Sequence, residues 1–231
     1  MTVQNKSRKR SDDKGIAALI IAALGAGGIV ALYFLVPGFQ FIDLAMLLVV
    51  VIFTASGYRQ GTIRGLMTIV ILYFATGIAA TLYPVPAPYV AGIGKLFGFI
   101  FAGQVMEGDM AASTQTVSGG SLAISFMLLT LVIWIVLEAI GRSTFQDTSL
   151  PKLGILDKFG GIVVHFVIGA LVASLLFNAI GYGHLRRAHN KALLRTRFNQ
   201  ILSLHYTTQS FWFGSQPPPI YVYDLDVMRE P

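Results

Sequence analysis

His165 is the residue whose type and position most invite chemistry, because it is an imidazole inside an otherwise apolar run, Phe159–Ile180. Set about one and a half turns into a membrane helix, a neutral imidazole can bond to a neighbouring helix or to interfacial water. It can also ligate a haem iron or a bacteriochlorophyll magnesium, or relay a proton. The hydrogen bond asks least of the surroundings; the pigment or haem ligand and the relay are the alternatives. No other catalytic apparatus is legible. The chain has no glycine loop followed by Lys-Ser or Lys-Thr, no His-Glu-x-x-His and no serine elbow. It has no cysteine, which excludes disulfides, thiolate metal sites and a cysteine nucleophile. His184, His189 and His205 stand among the arginines of the C-terminal stretch and read as solvated surface residues. Asp43 and Glu138 lie near the ends of apolar runs and read as interface residues, with Glu138 four positions before Arg142 in the orientation of a helical ion pair. Asn178 reads as an interhelical bond. The expectation is a protein with no catalytic residue, no metal, and no cofactor unless His165 carries one.

The elements that must position these residues are membrane helices. Of 231 residues, 55% are hydrophobic and only 12% charged, and the charges leave several runs of about 20 residues almost bare. Backbone in hydrocarbon must bond to itself, and alternating barrel strands are absent, so the fold class is all-α: a polytopic transmembrane helical bundle. The formal charge of +6 resides on Lys and Arg outside those runs. It points to cytoplasmic retention and contact with membrane lipid, with no nucleic acid as partner.

Along the chain, residues 1–14 form a basic arm expected to be disordered and cytoplasmic, followed by a first span at Gly15–Val36. A second and third apolar run, Ile42–Ala55 and Ile63–Leu82, flank a hinge over residues 57–64 in which Arg59 and Arg64 fix the cytoplasmic side. Residues 89–106 are apolar but carry Lys95 and three glycines, and are expected to be interfacial or re-entrant. The fourth and fifth spans fall at Ser121–Ile140 and Phe159–Ile180, the last with Asp157 as a plausible N-cap. The tail, 183–231, begins basic, is expected to lie as a helix on the membrane surface, and then meets Pro217, Pro218 and Pro219. Small residues spaced for close helix contact are Ala18, Ala22 and Ala26, then Ala75 and Ala79, then Gly161, Gly169 and Ala173.

The charge count does not settle the number of spans. Five spans put 10 Lys and Arg inside and 7 outside, with the basic tail outside. Counting 89–106 as a sixth returns the tail to the cytoplasm, with 13 inside and 3 outside.

A family resemblance bears on this. Ile42-Asp43 opens a span, Gly61 and Arg64 lie in the basic hinge, and Leu156-Asp157-Lys158-Phe159-Gly160-Gly161 leads into a last span bearing Gly169. On these residues, Phe41 to about Tyr182 resembles the colicin V production family of bacterial inner-membrane proteins. Two positions depart from its pattern: His165 stands where a glycine is expected, and Gly65 where the family tends to carry an acid. The resemblance implies four core spans with 89–106 peripheral, hence five spans in all with the first span and the tail as additions. It also implies a multi-pass protein of the bacterial cytoplasmic membrane with a structural or assembly role in the envelope, in a family associated with toxin export and envelope upkeep. The alternatives are an accessory subunit of a large, pigment-bearing or respiratory membrane complex, and a channel or transporter component. Partners in the first two cases would be other membrane proteins, met through small-residue faces and the tail.

Overall fold

The computed structural model describes the backbone of residues 2–93, 119–144, 154–181 and 185–213, and their side chains apart from residues 2–14 and 186. Five long helices dominate: α1 (Thr2–Leu35), α2 (Phe41–Gln60), α3 (Thr62–Leu82), α4 (Gly119–Thr144) and α5 (Ile155–Ile180). All five are long and apolar enough to cross a membrane, α1 over Gly15–Leu35. Two further helices follow, α6 (Arg186–Lys191) and α7 (Arg195–Phe213). No strand occurs among the described residues.

The hinge is far shorter than the sequence suggests. α2 continues through Tyr58 and Arg59, and α3 starts at Thr62, so one residue, Gly61, makes the whole turn. Its φ of 81° and ψ of 175° lie in a region open essentially to glycine alone. Arg59 remains exposed in the last turn of α2, where a cation suits the helix dipole. Arg64 is no loop residue; it lies in the first turn of α3 and is buried. Nor is the basic arm irregular, since α1 begins at Thr2. Nothing between Thr2 and Lys14 is a glycine or proline, and Lys, Arg and Gln are good helix formers, so the first span simply extends backwards.

The tightest seam joins α2 to α5. Gly161, His165, Gly169, Ala173 and Phe177 recur at four-residue spacing on α5 and meet Gly57, Phe53, Val50, Met46 and Ile42 on α2. A methyl group on Gly169 would sit 2.9 Å from Phe53 Cβ and 3.0 Å from Val50 Cα. α1 packs on α2 through Ala18, Gly25 and Ile29, while Ala22 and Ala26 are only half-buried. Ala75, Ala79 and Ala173 are fully buried. Because Gly169 meets backbone as well as side chain, Gly169→Leu should lower stability by about 1–3 kcal/mol. Thermal unfolding in detergent checks this, and an unchanged midpoint would contradict the seam.

α3 and α4 run antiparallel. Arg64, early in α3, bonds Glu138, late in α4, while Ala79 and Ala80 share a cluster with Ala123 and Phe126. Leu82 and Gly119 therefore lie at the same end of the bundle, and the chain between them leaves and returns on one side. Five helices long and apolar enough to span stand among the described residues, as the resemblance implies. Of the segment 89–106, only residues 89–93 are described, and they are helical; the remainder lies outside the described residues, as do His184 and residues 217–219.

The tail does not lie flat beside the bundle. Phe198 packs with Ile42 and Phe177, Leu202 with Ala79, Ala80 and Leu175, and Phe213 against Gly77 and the Tyr73 and Phe74 rings. α7 thus crosses the end of the bundle opposite Gly61 and slants inward. It reaches the level of Tyr73, nine residues or about 13 Å inside the end of α3.

Candidate functional site

Two clusters of polar groups hold the bundle, one at each end. At the hinge end, Asp157 lies in the first turn of α5, whose N-cap is Gly154 rather than Asp157 itself. Its carboxylate instead reaches across: Thr62 N–H, an unpaired donor at the start of α3, donates to Asp157 Oδ1 at 2.8 Å. The Thr62 hydroxyl donates to Asp157 O at 2.9 Å. One acid therefore caps a helix other than its own. Gly61 must be glycine for this reason too, since a Cβ there would lie 2.5 Å from Asp157 Oδ2. Beside it, Arg64 Nη2 donates to Glu138 Oε1 at 2.5 Å, and Arg142 Nε reaches the same oxygen at 3.3 Å. The anticipated Glu138–Arg142 pair exists, but it is the exposed member of the cluster; the Arg64 and Glu138 side chains are only 9% and 17% exposed. Lys158 Nζ donates to the Tyr58 hydroxyl at 3.1 Å and sits 4.7 Å from that ring's centre.

His165 is buried behind this cluster. Its Nδ1 pairs with Gly161 O at 3.0 Å within α5, so the expected interhelical bond is replaced by one along its own helix. The ring has room because of two glycines: a Cβ on Gly57 would lie 2.8 Å from His165 Cβ, and one on Gly65 2.9 Å from Nδ1. His165 and Gly65 thus face each other, the large side chain on α5 matched by the absent one on α3. Nε2 has no hydrogen-bond partner and is closed off from the surface. An imidazole wedged where a single methyl does not fit, with its free nitrogen enclosed by protein, does not suit a haem or bacteriochlorophyll macrocycle. Among the described residues no three His, Asp or Glu side chains converge as metal ligands.

At the opposite end Asp43, fully buried, does for the tail what Asp157 does for α3. Gln40 N–H donates to its Oδ2 at 2.9 Å, Leu193 N–H to Oδ2 at 3.0 Å and Leu194 N–H to Oδ1 at 2.9 Å. A carboxylate at the start of α2 therefore fixes the chain as it enters α7. Farther along, Gln209 Nε2 donates to Tyr73 O at 2.8 Å and to Thr76 Oγ1 at 2.5 Å, and Tyr73 donates to Thr208 O at 2.7 Å. Thr76 gives its single hydroxyl proton to Leu72 O at 2.8 Å, which assigns the 3.0 Å contact with His205 Nε2 as His205 donating. Asn178 bonds Ser174 O within α5 at 3.0 Å, not a neighbouring helix.

His189 and His205 are not solvated, because the tail folds onto the bundle. His189 lies over the Phe177 ring with centroids 4.2 Å apart, and both imidazoles are buried. Burial pushes both down to about 4, for His189 against the Asn190 hydrogen bond and with the help of Arg195. A histidine held neutral in the fold but titrating near 6.5 when released takes up protons preferentially in the released state. The tail should stay docked above pH 6.5 and loosen progressively down to about 4. Hydrogen exchange of α7 amides, corrected for intrinsic rates, should show this loss of protection, and His205→Asn should flatten it.

A buried five-helix core with internally satisfied charges and a docked polar tail defines a multi-pass α-helical membrane protein. The chain belongs to the colicin V production protein family, whose model matches residues 42–207, well over half of its length. The match passes the expected limit at Tyr182 and takes in α6 and most of α7, so the docked tail is part of the family's domain and not an addition; α1 precedes it. No curated protein and no solved structure matches the chain.

Proposed function

We propose that this protein is a non-enzymatic structural or assembly component of the bacterial cytoplasmic membrane. The hinge end and the basic arm face the cytoplasm, and the docked tail faces the opposite side. The observation that supports this reading is the employment of three acids, Asp43 buried and Asp157 and Glu138 partly buried. Asp43 and Asp157 are spent on backbone N–H groups of other segments, and Glu138 on Arg64, so each acts as a clamp between helices. With 10 Lys and Arg on the hinge side against 7 on the other, the positive-inside bias gives the orientation.

Deleting the gene and measuring uptake of an impermeant dye, together with colicin V production in a producing host, tests the reading. An envelope or export defect restored by the intact chain is expected. A defect cured by feeding a small metabolite would overturn it in favour of an enzyme or transporter. A second reading, an accessory subunit of a larger membrane complex, draws on α1, which among the described helices touches only α2 and has no described residue beside Gly27 and Gly28. Stoichiometric copurification of one large complex from mild detergent would favour it.

A further inference from the structure

The tail presents a concentration of positive charge that no ion pair among the described residues compensates. Arg186, Arg187, Lys191, Arg195 and Arg197 fall within twelve residues, and no Asp or Glu occurs between Asp157 and Asp224. Among the described residues, the acid that bonds this segment, Asp43, is engaged by three backbone N–H groups. Among the described residues the ion pairs are those of Glu138 with Arg64 and Arg142, at the far end of the bundle. Arg187, Lys191 and Arg197 are exposed, and Arg195, partly exposed, has a buried Nη2 with no acceptor.

Depth decides what this charge meets. The turn at Leu193–Leu194 is bonded to Asp43, the third residue of α2, and Phe198 packs on Ile42 and Phe177 near the ends of their spans. The cations therefore stand at the rim of the bundle, where phospholipid headgroups lie, and not on a stalk reaching into water. Leu185 and Leu193, each about half exposed, flank them with apolar surface at the same level. Cationic side chains alternating with exposed leucines at the membrane boundary match an anionic lipid surface, phosphodiester outermost and acyl chain beneath.

We propose that residues 185–197 form a binding site for the phosphodiester headgroup of anionic phospholipid in the leaflet on the tail's side of the membrane. This supplies a reason for a strongly basic segment on the side where the positive-inside bias gives it none.

The test uses the full chain purified in neutral detergent. Phosphatidylglycerol, phosphatidylcholine and inorganic phosphate are added separately, with native mass spectrometry counting bound lipid and thermal unfolding reading its effect. Phosphatidylglycerol should be retained and raise the midpoint, the other two should not, and the preference should vanish at high salt. Combining Arg187→Gln, Lys191→Gln and Arg195→Gln should weaken phosphatidylglycerol binding at least about tenfold, each cation contributing. The variant Arg187→Lys, Lys191→Arg, Arg195→Lys should keep it, and the salt titration of the unaltered chain decides should the glutamine variant fail to fold. Equal retention of phosphatidylcholine, equal stabilisation by inorganic phosphate, or a preference for phosphatidylglycerol insensitive to salt would overturn the proposal. So would an acidic protein that copurifies through these residues in place of lipid.

Discussion

Gly161→Val is expected to prevent the core from assembling, at a cost of at least about 3 kcal/mol, the upper end for overpacked sites. The Cβ would point into Gly57 O and the Gly61 backbone, where α2 and α5 cross beside the one-residue turn. Neither neighbour is a side chain that can rotate away. Moving α2 aside would also break the Asp157 bond to Thr62 and displace the His165 ring from Gly57 and Gly65. Gly25→Val provides the control. It also meets a close neighbour, Val51 Cγ1 at 2.8 Å, but that is a side-chain tip at the edge of the bundle, so its cost should be clearly smaller. Membrane abundance and the unfolding midpoint in detergent measure both. A Gly161→Val protein as stable as the Gly25→Val protein would refute the crossing.

The second large effect concerns charge. Glu138→Ala should destabilise by about 3–5 kcal/mol, because it strands the Arg64 guanidinium inside the bundle without a carboxylate. The Arg142 side chain, 65% exposed, can turn to solvent and is not the source of the loss. Arg142→Gln should accordingly change little, within the small range of exposed ion pairs. The double variant Arg64→Met, Glu138→Leu should be much milder than Glu138→Ala alone, since it removes the buried charge together with its partner. If Glu138→Ala and Arg142→Gln proved equivalent, the pair would be a surface feature and the assignment of Arg64 as buried would fail.

What the sequence revealed follows from how far each signal reaches. The spans were legible because solvation by lipid acts residue by residue: a run such as Ile63–Leu82 is apolar whatever it touches. The small faces at Ala75, Ala79, Gly169 and Ala173 were legible because close approach needs small residues at helical spacing. The clamps were hidden, since each joins residues far apart in the chain. Nothing beside Asp43 in the sequence points to Leu193 and Leu194, 150 positions on. Asp157 looked like a cap for its own helix because a local donor is the simplest partner for an acid at that position. A clue to both was available in their surroundings: the hinge has no capping side chain of its own before Thr62, and the basic tail has no acid before Asp224. α7 misled for a related reason. His205 reads as solvent-facing, whereas His205 and Gln209 are bonded to Thr76 and bury the helix's polar side against α3. His165 was located correctly but its setting was not, because only the packing shows Gly57 and Gly65 closing around it.

In the proposed orientation the Gly61 turn and the docked tail occupy opposite faces of the membrane. The chain has no cysteine, so single cysteines can be introduced at Gln60 and at Lys191 without background. An impermeant thiol reagent applied to intact spheroplasts should label Lys191→Cys at once and Gln60→Cys only after the membrane is opened. Labelling of both from the same side, or of Gln60→Cys alone in intact spheroplasts, would contradict the account.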